Sequence, residues 1–177
     1  AHNELTFVPS SMTTILPSLR YLDVSHNLLN AVPPALECLH KLQALNVSGN
    51  MIDSVLGIYL SLPHIRVLNL GGNRLESLCG VERLHTLEQI DLRANIIQDP
   101  GEVGRLATLP QISHVWIHSN PLLDTHPDAR VACFYFFALE HKHVVLDDVP
   151  CGFFERRRVS SMLCLLYTSD AADDMQC

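Results

Sequence analysis

No run of 18 apolar residues occurs in the 177-residue sequence, which excludes a membrane-spanning helix within it. Basic residues are scarce: 12 Lys and Arg stand against 19 Asp and Glu, for a formal charge of −7. Without a basic stripe to neutralise phosphates, nucleic acid is not an expected partner. The single basic run, Glu155-Arg-Arg-Arg158, reads as a solvated tail with no assigned role. The six cysteines, Cys38, Cys79, Cys133, Cys151, Cys164 and Cys177, are 41, 54, 18, 13 and 13 residues apart and form no CxxC pair, so no zinc site is expected. No Ser-His-Asp set, glycine-rich phosphate loop or paired carboxylates occur in a recognisable setting. Catalytic residues, metal ligands and cofactors are therefore all assigned as none. What is present, 47% apolar and 18% charged residues, excludes a disordered chain and suits one folded domain.

The strongest positive signal is a ladder of asparagines. Asn3, Asn27, Asn50, Asn73, Asn95 and Asn120 recur at intervals of 24, 23, 23, 22 and 25 residues, each in the same apolar frame. The frame reads Leu19-x-x-Leu22-x-Val24-x-x-Asn27-x-Leu29, and it returns as Leu42, Leu45, Val47, Asn50, Ile52 and as Ile65, Leu68, Leu70, Asn73, Leu75. Two more copies run Leu87, Ile90, Leu92, Asn95, Ile97 and Ile112, Val115, Ile117, Asn120, Leu122. Such a ladder identifies a leucine-rich-repeat solenoid with five complete units. The fold class is α/β: a curved parallel sheet on the concave side, 3₁₀ or helical turns on the convex side, and a C-terminal helical cap. Each unit buries its apolar edge only against its neighbours, which predicts an elongated binding surface rather than a closed pocket.

Alternation in Leu22-Asp23-Val24-Ser25 and Leu68-Asn69-Leu70-Gly71 gives each unit one short strand with one buried face. The asparagine that follows is expected to be a buried bracket, its amide bonding backbone groups in its own unit and in the next. Return arms such as Val32 to Leu39, Val55 to Leu62 and Leu78 to Leu84 have apolar spacings that fit 3₁₀ or short helical turns. The longer fourth unit, with Asp99-Pro100-Gly101, predicts a fuller helical turn. From Asp128 to Leu139 a helix is expected, with Val131, Phe134, Phe137 and Ala138 on one face as the cap of the stack. Val144 to Asp148 reads as one further strand ending the domain.

The domain is thus expected over residues 1–150, with the cap from about 121, a tail over 151–164, and an unrelated segment over 165–177. Asn3-x-Leu5-x-x-Val8 matches Asn27-x-Leu29-x-x-Val32, so the sequence is expected to start inside a repeat and to be N-terminally truncated. An open edge around Leu19, Leu22 and Val24 then predicts aggregation or weak self-association. Leu165 to Asp174 breaks every earlier period and is similar to translated sequencing adapter, an artefact that would include Met175 to Cys177. Three of the negative charges, Asp170, Asp173 and Asp174, lie in that segment.

At the repeat frame the units resemble the 22-residue intracellular class found in the regulatory subunit of type 1 protein phosphatase. A more specific likeness runs from Leu68 to Asp148, through Leu68-Asn-Leu-Gly-Gly-Asn-Arg-Leu, Ile90-Asp-Leu-Arg-Ala-Asn, Ser119-Asn-Pro-Leu122, Pro127-Asp-Ala-Arg-Val131 and Val145-Leu-Asp-Asp148. These resemble the repeat domain and cap of nischarin and its kinase-interacting relatives, although Ala129 stands where that family commonly has Tyr. The resemblance implies a scaffold for signalling and trafficking, cytoplasmic and, through domains outside this sequence, endosome-associated. It implies a kinase, a small GTPase or an integrin tail as partner. The phosphatase-regulator resemblance implies a type 1 phosphatase instead.

Unclustered cysteines agree with a reducing compartment, since extracellular repeat proteins seal their ends with disulfides. Cys38, Cys79 and Cys133 read as small core fillers. Strand parity gives three exposed concave rows: Tyr21, Ala44, Val67, Gln89, His114; then Asp23, Asn46, Asn69, Asp91, Trp116; then Ser25, Ser48, Gly71, Arg93, His118. Trp116, the only tryptophan, is predicted to point outward near His114, His118 and Arg93, the usual make-up of an interface hot spot. The expected partner-binding residues are Tyr21, Asp23, Asp91, Arg93, Trp116 and His118. A metal between His114 and His118 is excluded because four strand residues separate them by about 13 Å. His141-Lys-His143 reads as a solvated turn, and the Asn46-Val-Ser48 sequon as a coincidence on the concave row.

Overall fold

A computed structural model describes residues 3–173; Asp174 to Cys177 of the adapter-like segment lie outside the described residues. Seven strands form one sheet in sequential order: β1 Tyr21–Asp23, β2 Ala44–Asn46, β3 Val67–Asn69, β4 Gln89–Asp91, β5 His114–Trp116, β6 Val145–Leu146 and β7 Val149–Pro150. The first six run parallel, and β7 turns back antiparallel to β6. Tyr21, Ala44, Val67, Gln89 and His114 stand in register, as do Asp23, Asn46, Asn69, Asp91 and Trp116. Those are the first two rows expected from parity.

The inward residues stack by type. Leu45, Leu68, Ile90, Val115 and Leu146 form one buried column, and Val24, Val47, Leu70, Leu92 and Ile117 the next. At the β1 end Leu19 and Leu22 are only partly buried. Val8 is buried like Val32, and the Leu5 carbonyl accepts from Leu28 N–H as the Leu29 carbonyl does from Met51. Truncating a column leucine to alanine should cost about 2 to 5 kcal/mol through the cavity it leaves.

The bracket asparagines are buried at Asn27, Asn50, Asn73, Asn95 and Asn120. Asn73 Nδ2 donates to the Val47, Leu70 and Gly71 carbonyls at 3.1, 2.9 and 3.3 Å, while its Oδ1 accepts from Ile52 N–H at 3.0 Å. The bridge therefore reaches the preceding unit, not the following one as expected. Just before each bracket the backbone is left-handed, at His26, Gly49, Gly72, Ala94 and Ser119. That turn brings the amide under the strand it has left.

The return arms form 3₁₀ or short helical turns at Pro34–Cys38, Ile58–Ser61 and Val81–Arg83. The fourth arm is fuller: helix Pro100–Gly104 continues into 3₁₀ turn Arg105–Thr108, and Asp99 caps it by accepting from Gly101 N–H at 2.7 Å. Proline at the first helical position removes a donor that would have no helical partner. After Asn120 come helix Pro121–Thr125 and the cap helix Ala129–Leu139, which buries Val131, Cys133, Phe134 and Phe137. Ala138 is half-buried.

Several expectations need correction. Val144 to Asp148 is not one strand: β6 covers Val145–Leu146, and Asp147 and Asp148, both with positive φ, make a two-residue turn into β7. Residues 153–173 form a helix that the sequence pattern did not indicate, and this terminal helix packs on the cap helix through buried Val159. Glu155 and Arg158 are not simply solvated, because Glu155 Oε1 accepts from Arg130 Nε at 3.0 Å and Arg158 pairs with Asp128. Lys142 turns inward, its Nζ donating to the Ala107 and Leu109 carbonyls. Cys133 fills the core, and burial pushes its thiol up to about 12, whereas Cys38 and Cys79 are exposed. Among the described residues no helix is long and apolar enough to cross a membrane.

Candidate protein-binding surface

The concave face is built on a repeated local device. The second-row side chain accepts from the backbone N–H two residues on: Asp23 from Ser25 at 2.9 Å, Asn46 from Ser48 at 3.1 Å, Asn69 from Gly71 at 2.9 Å and Asp91 from Arg93 at 3.1 Å. A short carboxylate or amide at this position satisfies a donor where the strand stops pairing. In β5 the position holds Trp116, whose indole cannot accept. Asp147, from the hairpin turn, supplies the missing carboxylate by accepting from Ile117 and His118 N–H at 2.8 and 3.0 Å.

The expected site residues fall into two groups. Asp23 Oδ2 accepts from Tyr21 Oη at 3.3 Å and from Asn46 Nδ2 at 3.1 Å. Hydrogen bonding from Ser25, through its side chain and then its backbone, holds the Asp23 carboxyl below its usual range. Desolvation and then the Asp23 charge push the Tyr21 phenol up. Three strand spacings away, about 14 Å at ~4.8 Å each, Arg93 chelates Asp91. Its Nε lies 2.9 and 3.0 Å from the two carboxylate oxygens and its Nη2 2.5 Å from Oδ2.

Asp91 is only 8% exposed, so it is not the free surface carboxylate that parity suggests. Ser25 is likewise buried in the third row. Asp91 hydrogen bonds hold Arg93 more firmly protonated, against burial, with the charges of Asp91, Asp148 and Asp147 adding to this. Trp116 is half-buried, stacks on His114 with centroids 6.0 Å apart, and donates from Nε1 to Asp148 Oδ1 at 2.9 Å. His118 is exposed, with Nδ1 3.1 Å from Ser119 Oγ.

Asp91, Arg93 and Trp116 meet at a depression of about 200 Å³, whose lining is completed by Val67, Leu68, Asn69 and Gln89. Tyr21, Asp23 and His118 lie outside it. Parity alone did not single out Val67, Gln89, Asp147 or Asp148. Val67 and Gln89 were visible as row members, but the two aspartates were not, because their role depends on the hairpin. Among the described residues no cluster of three or more His, Cys, Asp or Glu is placed to hold a metal.

A sequential parallel sheet, a bracket asparagine in each turn and 3₁₀ return arms define a leucine-rich-repeat solenoid. The family model described as leucine rich repeat matches residues 1–52. Among solved structures the chain is similar to a leucine-rich-repeat protein of Leptospira interrogans, 27% identical with a TM-score of 0.56 over 74% of this chain. It spans about a third of that protein's length, 34%. It is also similar to a chain of the SNF/U2A′ complex of Drosophila melanogaster, 18% identical with a TM-score of 0.55, covering 98% of this chain and 84% of that one. This second likeness is one of fold alone. Comparison with curated proteins gives no match.

Proposed function

We propose that the concave sheet face docks a protein partner, as the non-enzymatic interaction module of a cytoplasmic signalling or trafficking scaffold of the nischarin kind. The observation that carries this reading is the depression of about 200 Å³ between β3 and β5, where an indole, a guanidinium and the exposed Val67 side chain meet. Aromatic and arginine side chains beside a small apolar patch are what a partner's anchor residue needs. Tyr21 and Asp23 offer a second contact point at the other end, and His118 flanks the depression. That a structural neighbour comes from a protein complex accords with this use of the fold.

The test is capture on the immobilised chain, comparing three single variants. Val67→Arg and Trp116→Ala should each lose the partner, and Leu60→Arg, on the convex helix Ile58–Ser61 where Leu60 is 64% exposed, should keep it. The opposite pattern would sink the concave-face reading. A kinase, small GTPase or integrin tail among the captured proteins supports the nischarin-like scaffold, and a type 1 phosphatase catalytic subunit would replace it with the regulator reading.

A further inference from the structure

Away from the concave face, a cavity of about 550 Å³ opens between the cap helix, the hairpin and the terminal helix. Its apolar walls come from Phe134 and Ala138, from Val144 and Pro150, and from Val159 and Leu163. A volume of this size falls within the ~300 to 1,000 Å³ of small-molecule sites. The polar lining is one-signed. His141, His143 and Arg156 border the cavity, and no carboxylate does.

Two neighbouring acids are committed elsewhere. Glu155 points to Arg130 Nε at 3.0 Å and Gly152 N–H at 2.7 Å, and Asp128 pairs with Arg158. Lys142 contributes its stem, with its ammonium on the Ala107 and Leu109 carbonyls. Among the described residues, no hydrogen bond or ion pair engages the side chains of Arg156, His141 or His143. His141 also occupies the left-handed position that closes the cap helix, with Lys142 N–H bonding the Phe137 carbonyl at 2.9 Å and His141 N–H that of Ala138 at 3.0 Å. Glycine is the usual residue there. An imidazole held in its place stands at the cavity's edge.

We propose that this cavity binds a small amphipathic anion, a medium-chain carboxylate whose hydrocarbon lies on Phe134, Val144, Val159 and Leu163 and whose head group meets Arg156 and the two imidazoles. The apolar walls supply burial of the chain, and the guanidinium supplies paired, charge-assisted hydrogen bonds to a planar carboxylate. The absence of a lining carboxylate sets the sign of the preferred head group.

Calorimetric titration of the full chain with dodecanoate, dodecylammonium and acetate tests this. Dodecanoate is expected to bind at one saturable site, with dodecylammonium and acetate each at least tenfold weaker, about 1.4 kcal/mol. Arg156→Gln should weaken dodecanoate about tenfold and leave dodecylammonium unchanged, and Ser160→Trp, which plugs the mouth from an exposed position, should abolish binding. Thermal unfolding of both variants, compared with wild type, shows that the fold is kept. Equal affinity for the two head-group charges, absence of dodecanoate binding, or wild-type binding by Arg156→Gln overturns the proposal. So does a concentration-dependent dimer that Ser160→Trp dissociates, which would assign the cavity to a second copy of the chain.

Discussion

The indole of Trp116 donates to the carboxylate of Asp148 at 2.9 Å, tying the last full repeat to the turn of the capping hairpin. Asp147, the other turn residue, takes the Ile117 and His118 amides at the place where every earlier repeat uses its own second-row side chain. Arg130 holds the hairpin from behind, donating to the Leu146 and Val149 carbonyls at 3.2 and 3.4 Å. The orientation of Trp116 on the concave face is therefore set by the cap as well as by strand parity.

Replacing Asp148 with glycine should separate orientation from stability. Asp148 has a φ of 62°, a conformation glycine adopts without strain, so the turn survives and global stability should change by less than about 1 kcal/mol. The indole loses its acceptor. Acrylamide quenching of tryptophan fluorescence should rise, and it reports Trp116 alone because the chain has one tryptophan. Unchanged quenching would show that His114 and the strand hold the ring without Asp148.

The bracket asparagines give a second prediction. Asn73→Ala removes donors to three carbonyls and the acceptor of Ile52 N–H, in a site that is 7% exposed. About 1 to 3 kcal/mol of stability should be lost through unsatisfied backbone groups. Asn3, exposed at the start of the stack, should tolerate alanine with a change within about 0.5 kcal/mol. Urea unfolding of the two variants side by side decides whether burial or mere periodicity gives the asparagine its value.

The repeats were legible because one constraint recurs in them. Leu68, Leu70 and Asn73 must meet their counterparts at a fixed spacing, so the frame carries both the strand and its buried face. Side-chain pairing was less legible: parity puts Asp91 and Arg93 on the same face, but only coordinates reveal that they chelate each other and take Asp91 out of solvent. The direction of the asparagine bridge was hidden for a similar reason, since a period has no sense of forward or back. Asp147-Asp148 lacks the glycine that marks most two-residue hairpins, so the turn to β7 left little trace. The terminal helix was missed because Val159 alone is buried along its described face and Leu163 is half-buried, too little to make an apolar stripe.

Glu102 offers a test by pH. From the fourth arm it reaches back to the third, accepting from Leu78 N–H at 2.7 Å, Ser77 Oγ at 2.8 Å and Arg105 Nε at 3.1 Å. Burial raises its pKa, but these hydrogen bonds and the Arg105 charge outweigh burial and hold it below its ordinary 4.5. A lowered folded value means that the ionised form stabilises the fold above the unfolded value, and that this is lost as pH falls through the folded one. Glu102→Gln should cost about 1 kcal/mol at neutral pH, with the gap to wild type closing in acid. A pH-independent gap in urea midpoints would assign the cost to packing rather than charge.

The cap should be most sensitive where it meets the fourth arm. A Cβ built at Gly104 would stand 2.7 Å from Cγ of Phe136, at the base of the ring, so the aromatic cannot swing clear by moving only its tip. Gly104 has an ordinary helical φ of −57°, and the requirement for glycine is therefore steric and not conformational. Helix propensity favours alanine by roughly 1 kcal/mol, whereas overpacking costs about 1 to 3 kcal/mol. The clash should win, and Gly104→Ala is expected to lower stability. Combining it with Phe136→Leu should recover part of the loss, because the smaller side chain yields the space that the methyl needs. Additive losses in the double-mutant cycle would show that the cap helix shifts as a body rather than yielding at Phe136.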